Sequence, residues 1–565
     1  MSKDDQRIID EYSSLLDRSQ QLFSGLRDVP QFGKQWQPYF QRTFEVYTKL
    51  WKFQQINRSV LEGNKDRDRL TFKRHDIGEI ASKIGQLYYH YYLRTSEPNY
   101  LHESCVFYEA IRTRGYFKDV LDAKNAVPMV KKLRYYARFI VVCLLLNKRK
   151  LVESLVSELT QDVDSYIKTF RPNDTQEWQF VLQEITQFLE ADNILNVDNL
   201  PAPISRRLSS QVTIDQTARI KVQEAILVGN YQHQVKFSEL TLDMFRIMQC
   251  LEWEPESNME GNSERKDQPG EERKGKRNPH KYLMYRPTMS QFLVFLANSF
   301  KELQDNNVLL LYVSADGIKG VNPQPETEGE STKTLCSRGG LALNSRRSPE
   351  KQQTGANADC LYPEDLLVYT RKHLFLIIDS DNSAAFEEIP SLFGKQVVCL
   401  MSPRKQPSLD KTEKEEKIGN LFTLFLCDPL SAFCYVMNKT NISKEILVKA
   451  NEKKENFLSA ILVLIQTQPG IDPALLLFSQ EDFLRKFIQN YIFCVATLLY
   501  HKKFQSSRGK YWPKITPSLP NELFHHRTLQ SEIYDLAMII GASNFLLGEL
   551  DLCQTEMSED TSEAQ

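Results

Sequence analysis

The chain has 565 residues, of which 41% are hydrophobic and 25% charged, and its basic and acidic residues nearly cancel at a net charge of −2. This composition excludes an intrinsically disordered chain and a protein that coats polyanions through overall positive charge. At about 150 residues per domain, the length predicts roughly two to four domains. The 10 cysteines form no CxxC pairs, which favours free buried thiols in a reducing compartment.

Amphipathic helices are predicted in the first part of the chain, because apolar residues recur there at steps of three and four with charges opposite them. Asp76 and Asp174 are expected to cap two of these helices. The apolar run 139–146 is far shorter than the roughly 20 residues of a membrane span, so it predicts a buried core helix and no membrane span. The predicted helices cover residues 6–27, 35–61, 76–91, 100–114, 128–147, 149–169, 175–191 and 238–252.

One pair of these helices carries a pattern similar to a tetratricopeptide unit. Gly85 and Tyr88 match the first helix, in which a small residue lets the second helix approach closely. Ser104, Tyr108 and Ile111 match the second helix. The spacing includes extra residues and no second clean copy follows. Two alternatives therefore stay open: an irregular stack of antiparallel helices, or a tetratricopeptide-like array with a peptide-binding groove.

Tyrosines are dense over residues 88–92 and 135–136, close to Lys131, Lys132 and Arg134. Such residues could stack on and neutralise a nucleic-acid strand. Alternatively, every second tyrosine fills the core while the others reach solvent through their hydroxyls. Packing is the favoured interpretation, because a large helical bundle needs such filling. No direct binding of nucleic acid is expected at this net charge.

Charged and proline-containing segments divide the chain. Residues 253–281 are predicted to be a solvated linker, and 554–565 an acidic disordered tail. Flexible insertions are predicted near 315–359 and 403–419. Within the linker, a short basic cluster is a candidate nuclear-import patch, although charged linkers also contain such clusters by chance. It consists of Arg273, Lys274, Lys276 and Arg277.

After the linker, short continuous apolar runs replace the helical period, which is typical of parallel strands covered on both faces by helices. The predicted strands are residues 308–313, 374–378, 397–401 and 421–426, with helices at 289–304, 383–393 and 429–437. Further helices are predicted at 443–467, 473–487, 488–503 and 528–548. The fold class is therefore mixed α and α/β. A mostly helical domain over 1–252 precedes a small parallel-sheet, three-layer α/β domain over 282–440 and C-terminal helices over 441–553.

The polar segment 379–383 follows the second predicted strand, at the edge of the sheet where α/β proteins usually bind ligands. Asp379, Asp381 and Ser383 could hold a hard cation, since their spacing resembles the metal-adhesion motif of von Willebrand factor A-like domains. Asp381 stands where that motif has Ser, and no downstream Thr or Asp ligand can be placed. The favoured alternative is that Asp379 ends the strand and that Asp381 or Ser383 caps the next helix.

Motifs that would indicate catalysis are missing from the sequence. There is no GxGxxG after a strand, no GxxxxGK[ST], no HExxH and no GxSxG, and the pair His525 and His526 has no matching Cys/His cluster. We therefore predict no catalytic residue, no cofactor and no metal, and expect that the chain is not an enzyme. The alternative function is a ligand- or metal-binding α/β protein with a cation at Asp379 and Asp381.

Several long segments carry a resemblance to a known family. They are residues 43–54 (TFEVYTKLWKFQ), 77–96, 131–147, 234–241, 278–283 and 421–426. They resemble the SCAI family, the suppressors of cancer cell invasion, and the similarity spans about residues 10–550. The resemblance implies a regulatory protein of the nucleus, present also in the cytoplasm, rather than an enzyme.

The partners implied by the resemblance are proteins. SCAI-like proteins act as transcriptional corepressors that join the myocardin-related transcription factor and serum response factor. They lower the expression of target genes linked to Rho signalling, cell migration and invasion. The resemblance also implies a role in DNA double-strand break repair, through the p53-binding protein that is recruited to breaks. It implies no catalytic residue.

Overall fold

The structure is a computed structural model, and the chain divides into two compact units, Met1–Gln183 and Glu184–Gln565. The residues that it describes are 3–33, 35–63, 72–121, 125–197, 206–209, 220–231, 234–254, 277–319, 338–344, 359–407, 418–505 and 508–548. No helix among these residues is long and apolar enough to cross a membrane. The predicted acidic tail 554–565 lies outside the described residues, as does most of the predicted linker 253–281.

The described part of the first unit is helical, as the apolar periodicity predicted. Its helices are α1 (Lys3–Gly25), α2 (Trp36–Ile56), α3 (Arg58–Gly63), α4 (Arg74–Thr95), α5 (Pro98–Arg114), α6 (Val127–Leu145), α7 (Arg149–Phe170) and α8 (Thr175–Asp192), the last of which continues into the second unit. Asp76 lies inside the first turn of α4 and not at its cap, where its carboxylate accepts the Lys73 N–H at 2.7 Å. The apolar run 139–146 is buried within and just after α6, as predicted.

Helices α4 and α5 approach each other closely at Gly85. A Cβ atom at this position would lie 3.0 Å from the ring of Tyr108. The Ser104 hydroxyl also donates a hydrogen bond to the Gly85 carbonyl at 2.7 Å. The close approach expected from a small residue here is confirmed, because a side-chain carbon at this position would press against the ring. Whether these helices form a tetratricopeptide-like array stays a prediction.

The second unit contains all the described strands. Its first elements are β1 (Asn196–Val197), β2 (Val222–Asn230), β3 (Lys236–Phe237), β4 (Leu240–Thr241), α9 (Leu242–Cys250), β5 (His280–Tyr285), α10 (Met289–Glu302) and β6 (Val308–Ala315). They are followed by β7 (Gly317–Lys319), β8 (Gly339–Ala342), β9 (Cys360–Leu361), β10 (His373–Asp379) and β11 (Val397–Met401). The last elements are α11 (Leu421–Cys427), α12 (Pro429–Val436), β12 (Asn441–Ile442), α13 (Lys444–Thr467), α14 (Pro473–Phe478), α15 (Asp482–Tyr500), α16 (Arg508–Tyr511), β13 (Lys514–Thr516), α17 (Asn521–Phe524) and α18 (Arg527–Ile539).

A six-stranded sheet in the order β13-β11-β10-β6-β2-β5 organises this unit. Its first five strands in the chain run parallel, and β13 pairs antiparallel with β11. Every residue of β6, β10 and β11 is buried, which explains their uninterrupted apolar sequences. The chain order reverses between β2 and β6, so that the carboxyl ends of these strands form the switch point where α/β sheets usually bind ligands. The predicted α/β sheet with helices after it is confirmed.

Several predicted elements differ from the structure. The helices predicted at 473–487 and 488–503 are instead the short α14 and the longer α15, and the helix predicted at 528–548 ends at Ile539. Residues 421–426, predicted as a strand, form the helix α11, because a short apolar run is equally compatible with a helix that is buried all round. The helix predicted at 383–393 is a single 3-10 turn, Ser383–Phe386. The helical domain predicted over 1–252 contains the sheet strand β2, whose polar residues hid its strand pattern.

The predicted insertion at 315–359 is partly ordered. Strands β7, β8 and β9 form a small antiparallel sheet, with Gly317 opposite Leu341 and Ala342 opposite Cys360. A Cβ atom at Gly340 would lie 2.4 Å from the Leu361 carbonyl oxygen, so the glycine allows β8 to lie against β9. Residues 320–337 and 345–358 of the insertion lie outside the described residues, and so do 408–417 of the insertion predicted at 403–419.

Eight of the cysteines fall within the described ranges, and all eight are buried free thiols, as predicted. They are Cys105, Cys143, Cys250, Cys360, Cys399, Cys427, Cys434 and Cys494.

Candidate functional site: the sheet edge and an aromatic face

Asp379 ends β10 at the carboxyl edge of the sheet, directly opposite Ser314 of β6. The Thr423 hydroxyl, from α11, donates a hydrogen bond to Asp379 Oδ2 at 2.6 Å. The Tyr312 hydroxyl lies 2.9 Å from the same Thr423 oxygen. Because Thr423 donates to the carboxylate, Tyr312 supplies the proton of the next bond. A strand end, its neighbouring strand and a later helix are thus joined by one chain of hydrogen bonds.

A second carboxylate, Asp243 in the first turn of α9, faces this cluster. It accepts the backbone N–H of Asn420 at 3.1 and 3.2 Å through its two oxygens. The Asn420 side chain in turn donates to the Ser314 hydroxyl at 3.0 Å. Burial, and after it the nearby charge of Asp243, raise the pKa of Asp379 to about 7. Burial likewise raises the pKa of Asp243 to about 6.

Arg246, one helical turn after Asp243, is the cation of this edge and is completely buried. Its guanidinium donates to the carbonyl of Ile418 at 2.6 Å and to the carbonyl of Ala191 at 2.9 Å. It lies 3.4 Å from Asp243 Oδ1 and 3.9 Å from Asp192 Oδ1. Burial lowers the pKa of Arg246 to about 10, so the group keeps its charge at neutral pH.

The backbone of Gly419 passes close to this ion pair in a left-handed conformation, at a φ of 73°. A Cβ atom there would lie 2.7 Å from Asp243 Oδ1 and 3.0 Å from Arg246 Nη1. Only glycine therefore fits the position. Its position, one residue before Asn420, brings α11 into contact with the sheet edge.

Asp381 and Ser383 each form a hydrogen bond with a backbone group of a neighbouring segment. Asp381 Oδ1 accepts the backbone N–H of Gly317 at 2.6 Å, which ties the loop to β7. The Ser383 hydroxyl donates to the carbonyl of Ser402 at 2.7 Å, at the end of β11. Between them, the Asn382 amide donates to the carbonyl of Ile318 at 2.9 Å. Each of these side chains therefore has a structural partner of its own.

These contacts bear on the alternative of a cation at Asp379 and Asp381. A downstream Thr, which the sequence could not place, does lie beside Asp379: the Thr423 hydroxyl donates its hydrogen bond to the carboxylate. The nearby Asp243 acts on Asp379 through its charge and lies upstream in the chain. Across the described ranges, no group of three or more His, Cys, Asp or Glu residues is arranged to hold a metal ion. The cation stays a prediction, and no contact of the described residues favours it.

The other sequence candidates are basic residues. Arg273, Lys274 and Lys276 of the import candidate lie outside the described residues, and Arg277 is exposed ahead of β5. On α6, the side chains of Lys131 and Lys132 pair with Glu79 and Asp162. These ion pairs measure 2.5 and 2.6 Å.

Arg134 of α6 is exposed, whereas Tyr135 and Tyr136 are buried. Core packing is thus confirmed for both tyrosines. Acidic neighbours neutralise two of the three cations that the nucleic-acid interpretation would use.

Six aromatic residues from α2, α4 and α5 form a half-buried surface on the first unit, which we call the aromatic face. Each of them retains part of its surface in solvent. The rings of Tyr88 and Phe107 are nearly parallel with centroids 5.8 Å apart, and Tyr88 stacks on Tyr100 at 6.5 Å. The members of the aromatic face are Phe44, Trp51, Tyr88, Tyr91, Tyr100 and Phe107.

The aromatic face is continuous across three helices. Phe44 of α2 contacts Tyr88 at 4.8 Å between centroids, and Trp51 of the same helix contacts Phe107 of α5 at 6.1 Å. Tyr91 and Tyr100 lie edge to face at 4.4 Å and share a hydrogen bond. The sequence located only the tyrosines of the 88–92 run. The other members come from separate helices, and no local signal distinguishes them from core residues.

Comparison with known proteins assigns the chain to a family. The family model described as Protein SCAI matches residues 14–504. The mouse and human proteins named Protein SCAI are each 44% identical to the chain over 96% of its length and 89% of theirs. A Dictyostelium discoideum protein named Protein SCAI homolog is 37% identical over 96% of the chain and 91% of its own length. No solved structure matches. At this identity and coverage, the chain belongs to the SCAI family.

Proposed function

We propose that the protein is a nuclear adaptor that lowers the transcription of genes driven by serum response factor and the myocardin-related transcription factor. The observation that carries this proposal is membership of the SCAI family over nearly the whole chain. Family resemblance implies the corepressor role and its links to Rho signalling, migration and invasion. The protein acts in the nucleus, and it is present also in the cytoplasm.

The chemistry of the described residues is compatible with an adaptor. At the sheet edge, the buried carboxylates and the buried guanidinium bind each other and backbone groups. A catalytic site would instead hold such groups ready for a substrate. The shared name of the relatives, Protein SCAI, states no enzymatic activity. The proposed function therefore requires surfaces that bind proteins and no reaction centre.

A second role, in the repair of DNA double-strand breaks through the p53-binding protein, rests on the same resemblance and is compatible with the first. The two roles differ in where the protein must act. The repair role predicts accumulation of the tagged full-length chain at laser-induced damage within the nucleus. If the chain does not accumulate there, the repair role is wrong while the corepressor role is unaffected.

The corepressor role is tested by depletion and rescue. Depletion should raise a reporter driven by serum-response-factor sites, and re-expression of the full chain should lower it again. A reporter with mutated sites is the control for general effects on transcription. Both factors should also co-purify with the tagged chain. An unchanged reporter, together with no co-purification of either factor, would contradict the proposal.

A further inference from the structure

The aromatic face has chemical features that point to the kind of partner that binds it. Its six aromatic side chains are only half-buried although they lie in contact with one another. Aromatic residues that stay partly exposed as a connected group are typical of binding surfaces, because large apolar contact areas give much of the binding energy. Val106, which precedes Phe107 in α5, is 59% exposed and adds to the apolar surface of this helix.

Acidic side chains flank the aromatic face. Glu97 and Glu103 lie at the start of α5 and are both exposed. Glu103 contributes to raising the pKa of Tyr88, after burial, and Glu97 does the same for Tyr91. Neither carboxylate forms an ion pair with any residue in the described part of the chain. The surface therefore combines aromatic rings with negative charge, which favours a positively charged ligand and disfavours a nucleic-acid strand.

The chain itself shows how a cation binds to this type of surface. Beside the aromatic face, Arg94 lies over Trp36 and Phe40, with its guanidinium carbon 5.5 and 5.3 Å from the two ring centroids. Trp36 and Phe40 in turn contact Tyr91, a member of the aromatic face. Arg94 thus occupies one end of a continuous row of rings. No cation of the described residues lies over Tyr88, Tyr100 or Phe107 at the other end.

We propose that the aromatic face binds an arginine-rich segment of a partner protein. The guanidinium groups of that segment stack on Tyr88, Tyr100 and Phe107, as Arg94 stacks on its own two rings. Glu97 and Glu103 balance the positive charge and accept its N–H groups. Arginine fits better than lysine, because its planar and weakly hydrated group stacks on aromatic rings and donates several hydrogen bonds at once. The inference rests on the proposed adaptor function, since it names the chemistry of one partner.

The test measures binding of labelled peptides to the full-length protein by fluorescence anisotropy. The probes are fluorescein-labelled (Gly-Ser-Arg)4, (Gly-Ser-Lys)4 and (Gly-Ser-Gln)4. Each peptide is kept at a fixed concentration while the protein is added up to about 1 mM. We expect binding of the arginine peptide, binding of the lysine peptide that is weaker by a few-fold, and no binding of the glutamine peptide. An unlabelled single strand of 12 thymidines should not compete.

Variants locate the binding to the aromatic face. The double variant Glu97→Lys/Glu103→Lys should weaken binding of the arginine peptide about tenfold, since both substitutions reverse an exposed charge without disturbing the core. Glu109→Lys is the matched control, because Glu109 is an exposed acid on the same helix. It should bind as the wild type does. Tyr88→Leu should weaken binding of the arginine peptide, whereas Tyr88→Phe should bind it as the wild type does, because the aromatic ring is kept.

The outcomes separate this inference from the proposed function. Absence of arginine-peptide binding, equal binding by the Glu97→Lys/Glu103→Lys variant, or displacement by the thymidine strand would each overturn the inference. The transcription reporter would still respond to depletion in that case if the adaptor role is correct. Conversely, peptide binding at the aromatic face, with an unresponsive reporter and no co-purification of either factor, would overturn the proposed function and leave the peptide site.

Discussion

The interiors of the two units differ in the polar groups that they bury. In Met1–Gln183, the largest buried polar side chains are neutral tyrosines, and the Tyr135 hydroxyl donates to the carbonyl of Tyr108 at 3.0 Å. Its Lys132–Asp162 ion pair stays 16% and 15% exposed. In Glu184–Gln565, the sheet edge buries ionisable groups: Arg246, Asp243 and Asp379 are 0%, 2% and 3% exposed.

This difference indicates how each unit should respond to substitution. The protein loses about 1–3 kcal/mol of stability when a buried hydroxyl is left without its hydrogen-bond partner. A buried charge costs several kcal/mol to desolvate, and it is tolerated only while its partners surround it. The sheet edge therefore depends on each of its members, whereas the helical unit depends mainly on shape. The following experiments test this contrast, beginning with the largest expected effect.

Replacing the buried guanidinium should be the most damaging change. Arg246→Ala is expected to lower the free energy of unfolding of the second unit by about 3–5 kcal/mol, because Asp243 and Asp192 lose a buried cation and the Ile418 and Ala191 carbonyls lose their donor. Urea titration followed by hydrogen–deuterium exchange should show faster exchange in β6 and unchanged exchange in α4. Arg527→Ala, at an exposed arginine, is the control. A loss below about 1 kcal/mol in the Arg246 variant would contradict the view that charge pairing holds this edge.

The carboxylate of Asp379 should make the second unit less stable as pH rises. Its folded-state pKa of about 7 exceeds the ordinary value of 3.8, so the folded protein binds a proton that the unfolded chain has released. The stability from this group is therefore fully present below about pH 4 and is lost progressively as pH rises to about 7, by about 4 kcal/mol in all, of which about 3 kcal/mol falls between pH 5 and pH 8. Asp379→Asn should remove that part of the loss. The urea midpoint at pH 5 and pH 8 measures it.

The control for this experiment is Glu445→Gln, which removes one charge from an exposed position. It should leave the difference between the midpoints at pH 5 and pH 8 as it is in the wild type. If Asp379→Asn behaves like the control, then Asp379 is ionised at neutral pH in the folded protein. Its hydrogen bonds would then offset the cost of burying the carboxylate.

In the helical unit, the sharpest test of shape is Gly85→Ala. Helix propensity alone would stabilise α4 by about 1 kcal/mol, whereas the clash with Tyr108 should destabilise it by about 1–3 kcal/mol. The sign of the change in the free energy of unfolding decides between them. Ser104→Ala is a companion variant that removes only the hydrogen bond, for about 1 kcal/mol. A stabilised Gly85→Ala protein would mean that α5 can move away at little cost.

The smallest effect is expected at a partly exposed ion pair. Lys131 and Glu79 have side chains 39% and 30% exposed, so solvent screens their attraction. A double-mutant cycle with Lys131→Gln and Glu79→Gln should give a coupling below about 1 kcal/mol that falls as salt is added. A coupling as large as the effect of Arg246→Ala would remove the distinction between the two units.

Much of the architecture could be predicted from local pattern. The helices of the first unit and the strands β6, β10 and β11 follow from apolar residues at a helical period or in unbroken runs. Strands β2 and β5 could not be predicted, because Glu224 interrupts the apolar residues of β2 and two polar residues, His280 and Lys281, begin β5. In the structure, Glu224 and His280 lie opposite each other on the two strands, and the distance from His280 Nδ1 to Glu224 Oε2 is 2.9 Å. Each polar residue is therefore accommodated in the sheet by the other. A pair 56 positions apart leaves no local signal.

The candidate sites divide in the same way. The sequence singled out Asp379 from its place after a strand, and tyrosines of the aromatic face from their density, since both are signals within a few residues. It could not find Asp243, Arg246, Asn420 or Thr423 as neighbours of that edge, nor Trp51 and Phe107 as members of the aromatic face. Whether a charge is paired, or an aromatic ring exposed, depends on which distant segments pack against it. Local sequence therefore determined the helices, the apolar strands and the family, and only tertiary packing decided where the charges and the exposed rings come together.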